Sequence, residues 1–127
     1  MYSALLRPEN KFSVIYIYII KINFSPSKGH EQQGYRPGLV LSDPITQKEL
    51  NGIITVAPIT NSTRAFFARV NLDKYNTQTK DDILMDQIRS LDLSEREYKF
   101  IEKAPLEVLR LCNIIFTAIY EKPLNSY

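Results

Sequence analysis

The residues with chemistry to offer are concentrated in one stretch, S-K-G-H-E-Q-Q-G-Y-R-P-G, from Ser27 to Gly38. It holds the chain's only histidine, His30, together with Glu31, Gln33 and Arg36, between glycines and just ahead of an apolar run. An imidazole titrates near neutral pH and can exchange a proton with a substrate. A guanidinium presents a planar fork of donors suited to a phosphate. Glycine reaches backbone conformations closed to other residues, and Pro37 biases Arg36 towards extended geometry. Arg36 is therefore expected at a turn-to-strand junction. The same residues also suit a solvated turn with no chemical duty, and taken alone the stretch leaves both readings open.

Further polar groups fall at equivalent places. Thr60-Asn61-Ser62 leaves a predicted strand, and Asp86 and Gln87 lie inside an apolar run. An acid among Ile, Leu and Met either faces solvent or is kept for a purpose, and spacing leans towards solvent. Arg89 and Asp92 read as surface or ion-pair residues of small energetic weight.

The elements that must position these groups are mostly strands. β-Branched and aromatic runs are expected as strands at Val14–Phe24, Gly38–Ser42, Gly52–Ile59, Ala65–Leu72 and Ile83–Leu91, each bounded by turn signals. Ser94-Glu95-Arg96-Glu97 reads as a capping box opening a short helix. Y-K-F-I-E-K, Tyr98 to Lys103, is too short for periodicity to separate helix from strand. Pro105 suits the first residue of a final helix. Val108, Leu109, Cys112, Ile115, Phe116 and Ile119 recur at helical spacing, giving an apolar stripe that reads as core. The architecture expected is α+β: a small antiparallel, barrel-like sheet with a C-terminal α-helix.

The bulk properties bound the function. At 127 residues the chain suits one domain, 1–127. A formal charge of +2 permits nucleic-acid contact without arguing for it. One cysteine, Cys112, excludes an intramolecular disulfide, and no zinc-ligand spacing is present, so no metal and no cofactor is expected. The apolar stretch Ser13–Phe24 is interrupted by Lys21 and is shorter than the roughly 20 residues of a spanning helix. It also lacks a small-residue cleavage site behind it. A cytoplasmic protein without membrane contact is expected.

The stretch S-P-S-K-G-H-E-Q-Q-G-Y-R-P-G-L-V-L-S resembles the signature of the MazF/PemK (Kid-like) toxins of bacterial toxin–antitoxin modules. V-A-P-I-T-N from Val56, I-L-M-D-Q-I-R-S-L-D from Ile83 and K-F-I-E-K-A-P from Lys99 agree with it in order, so the resemblance spans roughly Ile19 to Glu121. It implies an SH3-like barrel with a C-terminal helix, and a homodimer. The implied activity is a metal-independent endoribonuclease, an mRNA interferase that cuts single-stranded RNA and arrests translation. The implied protein partner is a cognate antitoxin, with DNA reached only through that antitoxin. By the same resemblance Arg36 acts on the scissile phosphate, Thr60 contacts it, Asp86 is the general base and His30 supports. Glu31, Gln33, Asn61, Ser62 and Gln87 are implied RNA contacts or supports.

Two features depart from the family pattern. Leu84 stands where the Kid-like branch has an arginine, so the work of that arginine must fall to Arg36 or go undone. Ile17 and Tyr18 replace a common Gly-Asp pair, within an I-Y-I-Y run expected to form an exposed apolar edge. Residues 1–16 match no family pattern, and 123–127 read as a frayed tail. Two other readings follow: a family member that dimerises and binds antitoxin without catalysis, or a gyrase poison of the CcdB family on the same barrel.

Overall fold

A computed structural model of the chain describes residues 18–25, 34–61 and 68–120. Its first strand, β1 (Tyr18–Asn23), carries the sequence Y-I-I-K-I-N. It runs antiparallel between β2 (Tyr35–Val40) and β7 (Tyr98–Lys103). An interior strand is covered on both sides, and its side chains alternate between two cores. Ile19 enters one, while Tyr18, Ile20 and Ile22 enter the other. Of the I-Y-I-Y run, expected to make an exposed apolar edge, all but Tyr18 lies outside the described residues. Tyr18 itself is buried at the start of this interior strand, where β7 pairs alongside. The ambiguous Y-K-F-I-E-K segment is that partner strand.

β3 (Ile53–Thr60) pairs with β2, with β5 (Asp82–Leu84) and with β6 (Arg89–Asp92), and β4 (Arg69–Asn71) pairs with β5. The sheet order is β4-β5-β3-β2-β1-β7, with β6 also on β3. The expected single strand over Ile83–Leu91 is therefore two strands joined by a 3-10 turn, Met85–Gln87. Ile83 faces Ile59 and Arg89 faces Val56, so this chain uses more residues than β3 over the same distance. The surplus forms the turn. Met85, wholly buried, anchors it, and its N–H donates to the Ala68 carbonyl at 2.9 Å.

The cores explain the curvature. One cluster takes Tyr18, Ile20 and Ile22 from β1, Val40 from β2, Ile54 and Val56 from β3 and Leu91 from β6, with Tyr98 and Phe100 of β7 packed on it. Strands at opposite ends of the path β6-β3-β2-β1-β7 share one interior, so the antiparallel sheet curls on itself like a barrel. The other cluster sits beneath the final helix, α2 (Leu106–Tyr120), where Val108, Leu109 and Cys112 are buried against Ile19, Leu39 and Met85. Among the described residues no helix is long and apolar enough to cross a membrane.

Four local features depart from the sequence reading. A short helix, α1 (Pro44–Glu49), fills the connection after β2; Pro44 occupies its first position, where a missing N–H costs nothing. The Ser94 capping box opens no α-helix. Asp92 instead caps one 3-10 turn, Leu93–Glu95, accepting the Ser94 N–H at 2.9 Å and its hydroxyl at 2.7 Å. The Ser94 hydroxyl, then its N–H, hold the Asp92 carboxyl below the usual carboxylate range. Burial of Leu93 and the β-pairing of Tyr98 override the local helix signal. Pro105 precedes α2 as its cap, its carbonyl accepting the Leu109 N–H at 3.2 Å. Phe116 of the predicted stripe is 38% exposed and stacks on Tyr120 at 4.8 Å rather than entering the core.

Candidate active site

The site is built on the start of β2 and the end of β3. Gly34 has φ +89°, a conformation that disfavours side chains, and so turns the chain into β2. Its N–H donates to the Ser25 hydroxyl at 2.8 Å, and its carbonyl accepts the Phe24 N–H at 2.8 Å. One Arg96 nitrogen donates to the carbonyls of Asn23 and Ser25, both at 2.7 Å. The root of the polar turn is thereby held by a residue more than seventy positions away. Two residues beyond Gly34, Arg36 enters the strand, as the Pro37 restriction predicts. Gly38 then lets β2 pack closely: a Cβ there would lie 2.7 Å from Val56 and 2.9 Å from Phe24.

Continuing the β2–β3 register outward brings Arg36 opposite Thr60. The Arg36 guanidinium donates to the Thr60 hydroxyl at 3.1 Å. A bond between residues from separate strands fixes one edge of the fork. The two groups share an open cleft of about 560 Å³ with Lys21, Pro37, Ile59 and Phe100, and with the loop Gln78–Asp81. Lys99 and Ile101 of β7 complete it. Among the described residues, four cationic side chains line this space against one carboxylate, Asp81. Such a cleft attracts anions and raises their local concentration.

The loop wall has its own clamp. Glu102 of β7 accepts the Gln78 N–H at 3.0 Å, the Thr79 N–H at 2.7 Å and the Thr79 hydroxyl at 2.6 Å. Within the loop, Asp73 accepts the Asp81 N–H at 2.9 Å, and Lys80 donates to the Tyr75 carbonyl at 2.9 Å. Sequence reasoning missed Lys21, Lys80, Lys99 and Glu102. The available signal was Lys21, a charge set inside an otherwise apolar strand. Lys80 and Glu102 acquire meaning only when β7 is found beside β1.

The other predicted residues are placed as follows. Asn61 follows Thr60 and is exposed. Asp86 is exposed on the Met85–Gln87 turn, and Gln87 is half-buried beside it; neither is among the residues that line the Arg36 cleft. The turn is steadied by the Tyr120 hydroxyl, which donates to the Met85 carbonyl at 3.3 Å. Leu84 is wholly buried, so this position serves packing. Tyr35 is 39% exposed with the Lys21 ammonium 5.0 Å from its ring centre. His30, Glu31, Gln33 and Ser62 lie outside the described residues, as do the two chain ends.

Comparison with known proteins gives this arrangement a context. The chain is 29% identical to Endoribonuclease PemK of Escherichia coli over 112 residues, covering 86% of this chain and 82% of that protein. It is 36% identical to Endoribonuclease toxin ChpB of Escherichia coli strain K12 over 107 residues, covering 81% and 90%. The fold superposes on crystalline MazF from Deinococcus radiodurans with a TM-score of 0.74 at 28% identity, covering 83% of this chain and 94% of that one. A MazE–MazF complex from the same organism shares the fold, with a TM-score of 0.67 at 24% identity over 84% and 93%. The family model for the PemK-like, MazF-like toxin matches residues 17–119. A cationic cleft with Arg36 bonded to Thr60 thus sits in a chain that belongs to the PemK-like, MazF-like toxins of type II toxin–antitoxin systems.

Proposed function

We propose that this chain is the toxin of a toxin–antitoxin module and cuts single-stranded RNA at the Arg36–Thr60 cleft. The observation that carries the reading is the guanidinium held by Thr60 inside a cleft lined with further cations. Relatives named as endoribonucleases support it. In the reaction proposed, the 2′-oxygen of the substrate attacks the neighbouring phosphorus and loses its proton to a base. The bond to the 5′-oxygen breaks, and that oxygen takes up a proton. The products are a 2′,3′-cyclic phosphate and a 5′-hydroxyl end. The nucleophile belongs to the RNA, so the protein's task is charge stabilisation and proton transfer.

Arg36 stabilises the pentavalent phosphorane, because a guanidinium keeps its proton and its charge at neutral pH. Thr60 orients Arg36 and hydrogen-bonds a phosphate oxygen. With Leu84 in the core, no arginine at that position shares the charge. Proton acceptance falls to His30 or Asp86. Single-turnover cleavage by His30→Gln and by Asp86→Asn assigns the acceptor: the variant that loses the chemical step held it. The functional unit is a homodimer in the cytoplasm, inhibited by its cognate antitoxin; the solved MazE–MazF complexes of relatives support that pairing.

The test is incubation of the purified protein with a long single-stranded RNA in the presence of chelator. Discrete cuts with 5′-hydroxyl and cyclic-phosphate ends are expected. Intact RNA overturns the reading, and intact RNA with inhibited gyrase selects the poison instead.

A further inference from the structure

Lys21 and Lys99 stand directly opposite each other in the β1–β7 register. Directly opposed residues of an antiparallel pair share a face, with Cβ atoms about 5 Å apart, and like charges there are destabilising. Lys21 is also half-buried, in a strand whose neighbours Ile20 and Ile22 are wholly buried. Among the described residues neither lysine makes an ion pair with a carboxylate. The nearby Glu102 carboxylate is committed to Gln78 and Thr79. The Tyr35 ring under Lys21 steers the ammonium without neutralising it.

Arg36 faces Ile22 across β2–β1, and the next pair along, Pro37 with Lys21, leads on to Lys99 across β1–β7. The register thus sets the lysine pair one residue along from Arg36, and all three cations line the same cleft. An unfavourable cation pair in the cleft of a phosphate-binding arginine is relieved when an anion lies between the two ammonium groups. In an RNA strand whose scissile phosphate is at Arg36, the anion available in that cleft is the adjoining phosphodiester.

We infer that Lys21 and Lys99 form a second phosphate subsite, which grips the linkage next to the scissile one in the same RNA strand. The inference rests on the ribonuclease reading above. The subsite adds affinity and sets the strand in register with Arg36, while the chemical step stays with Arg36 and the proton acceptor.

The test compares wild type with Lys21→Gln/Lys99→Gln on a short RNA spanning a mapped cut. KM is expected to rise about tenfold, with kcat at saturation within about twofold. Each lost contact lowers the slope of log affinity against log salt by about 0.7, so a fall of about 1.4 is expected. A methylphosphonate at the flanking linkage should weaken wild type and leave the double variant indifferent. Lys21→Arg/Lys99→Arg should restore the wild-type KM and salt slope. The double Gln variant is expected to melt no lower than wild type, because like-charge repulsion is removed. Should it fail to fold, the exposed single variant Lys99→Gln carries the same measurements at half the slope change. An unchanged salt slope, or a fall in kcat at constant KM, overturns the subsite. A wild-type protein that leaves RNA intact fails the ribonuclease reading instead, and the two failures are therefore distinct.

Discussion

Two concavities among the described residues have opposite character. The Arg36 cleft, about 560 Å³, is lined mainly by charged and polar groups drawn from β1, β2, β3, β7 and one loop. The second, about 210 Å³, lies beside α2 and is lined by Leu41, Met85, Leu109, Cys112, Asn113 and Phe116. The apolar groove follows the local rules of folding: its residues extend the stripe of α2 and the cluster beneath it. The cleft departs from them, with lysines opposed across strands and four cations against one acid. Natural chains break such rules chiefly at functional sites. On the reading proposed above, function belongs to the cleft side and stability to the groove side, and each can be perturbed separately.

The sharpest break is Arg36→Ala. Cleavage should fall by about a hundredfold to a thousandfold, as for other preorganised charge stabilisers, with the thermal midpoint close to wild type. A variant that still cuts near the wild-type rate sinks the assignment. Next in size is Leu109→Ala on the groove side. Leu-to-Ala changes in cores cost about 2–5 kcal/mol, and this site belongs at the low end because it already opens onto a groove and leaves no sealed cavity. Denaturant unfolding should show the loss while cleavage per folded molecule is retained. Lost cleavage in a folded Leu109→Ala protein would erase the division between the two regions.

Glu102→Ala tests the loop wall. Removing the carboxylate strands two backbone N–H groups and a hydroxyl, at a cost of about 1–3 kcal/mol. Hydrogen exchange at Gln78 and Thr79 should accelerate and KM should rise, whereas unaltered exchange would show that the loop holds itself. The smallest effect concerns Cys112, whose burial pushes the thiol from its ordinary 9.0 up to about 12. The folded state holds this proton more tightly than the unfolded state. The linked stability is therefore complete below pH 9 and is lost as pH rises towards 12. Cys112→Ala should flatten part of that alkaline decline in denaturant midpoints; identical declines in both proteins would refute the linkage.

Much of this was legible before any fold was known. The Arg36 junction followed from Gly34 and Pro37, and the Thr60 strand end from the polar residues after an apolar run. Most strands followed from β-branched content, and α2 from its stripe. Two misreadings share a cause. The 3-10 turn at Met85–Gln87 and the failed capping box at Ser94 both turned on which strand lies alongside. Local pattern carries the preference of a segment, but burial of Leu93 and pairing with β7 outweigh a single cap.

The sequence by itself determined the family, the order of the strands along the chain, the final helix and the pairing of Arg36 and Thr60 as candidates. The strands and the helix rest on residue types and short spacings, whereas the family and the candidacy of Arg36 with Thr60 rest on the resemblance of its motifs. Only the tertiary structure decided that Lys21 meets Lys99, that Glu102 clamps the Gln78–Asp81 wall and that Arg96 ties the root of the polar turn. These contacts join positions far apart in the chain. Their existence depends on the register of β1 against β7 and on how the sheet curls, and no local run of residues specifies either.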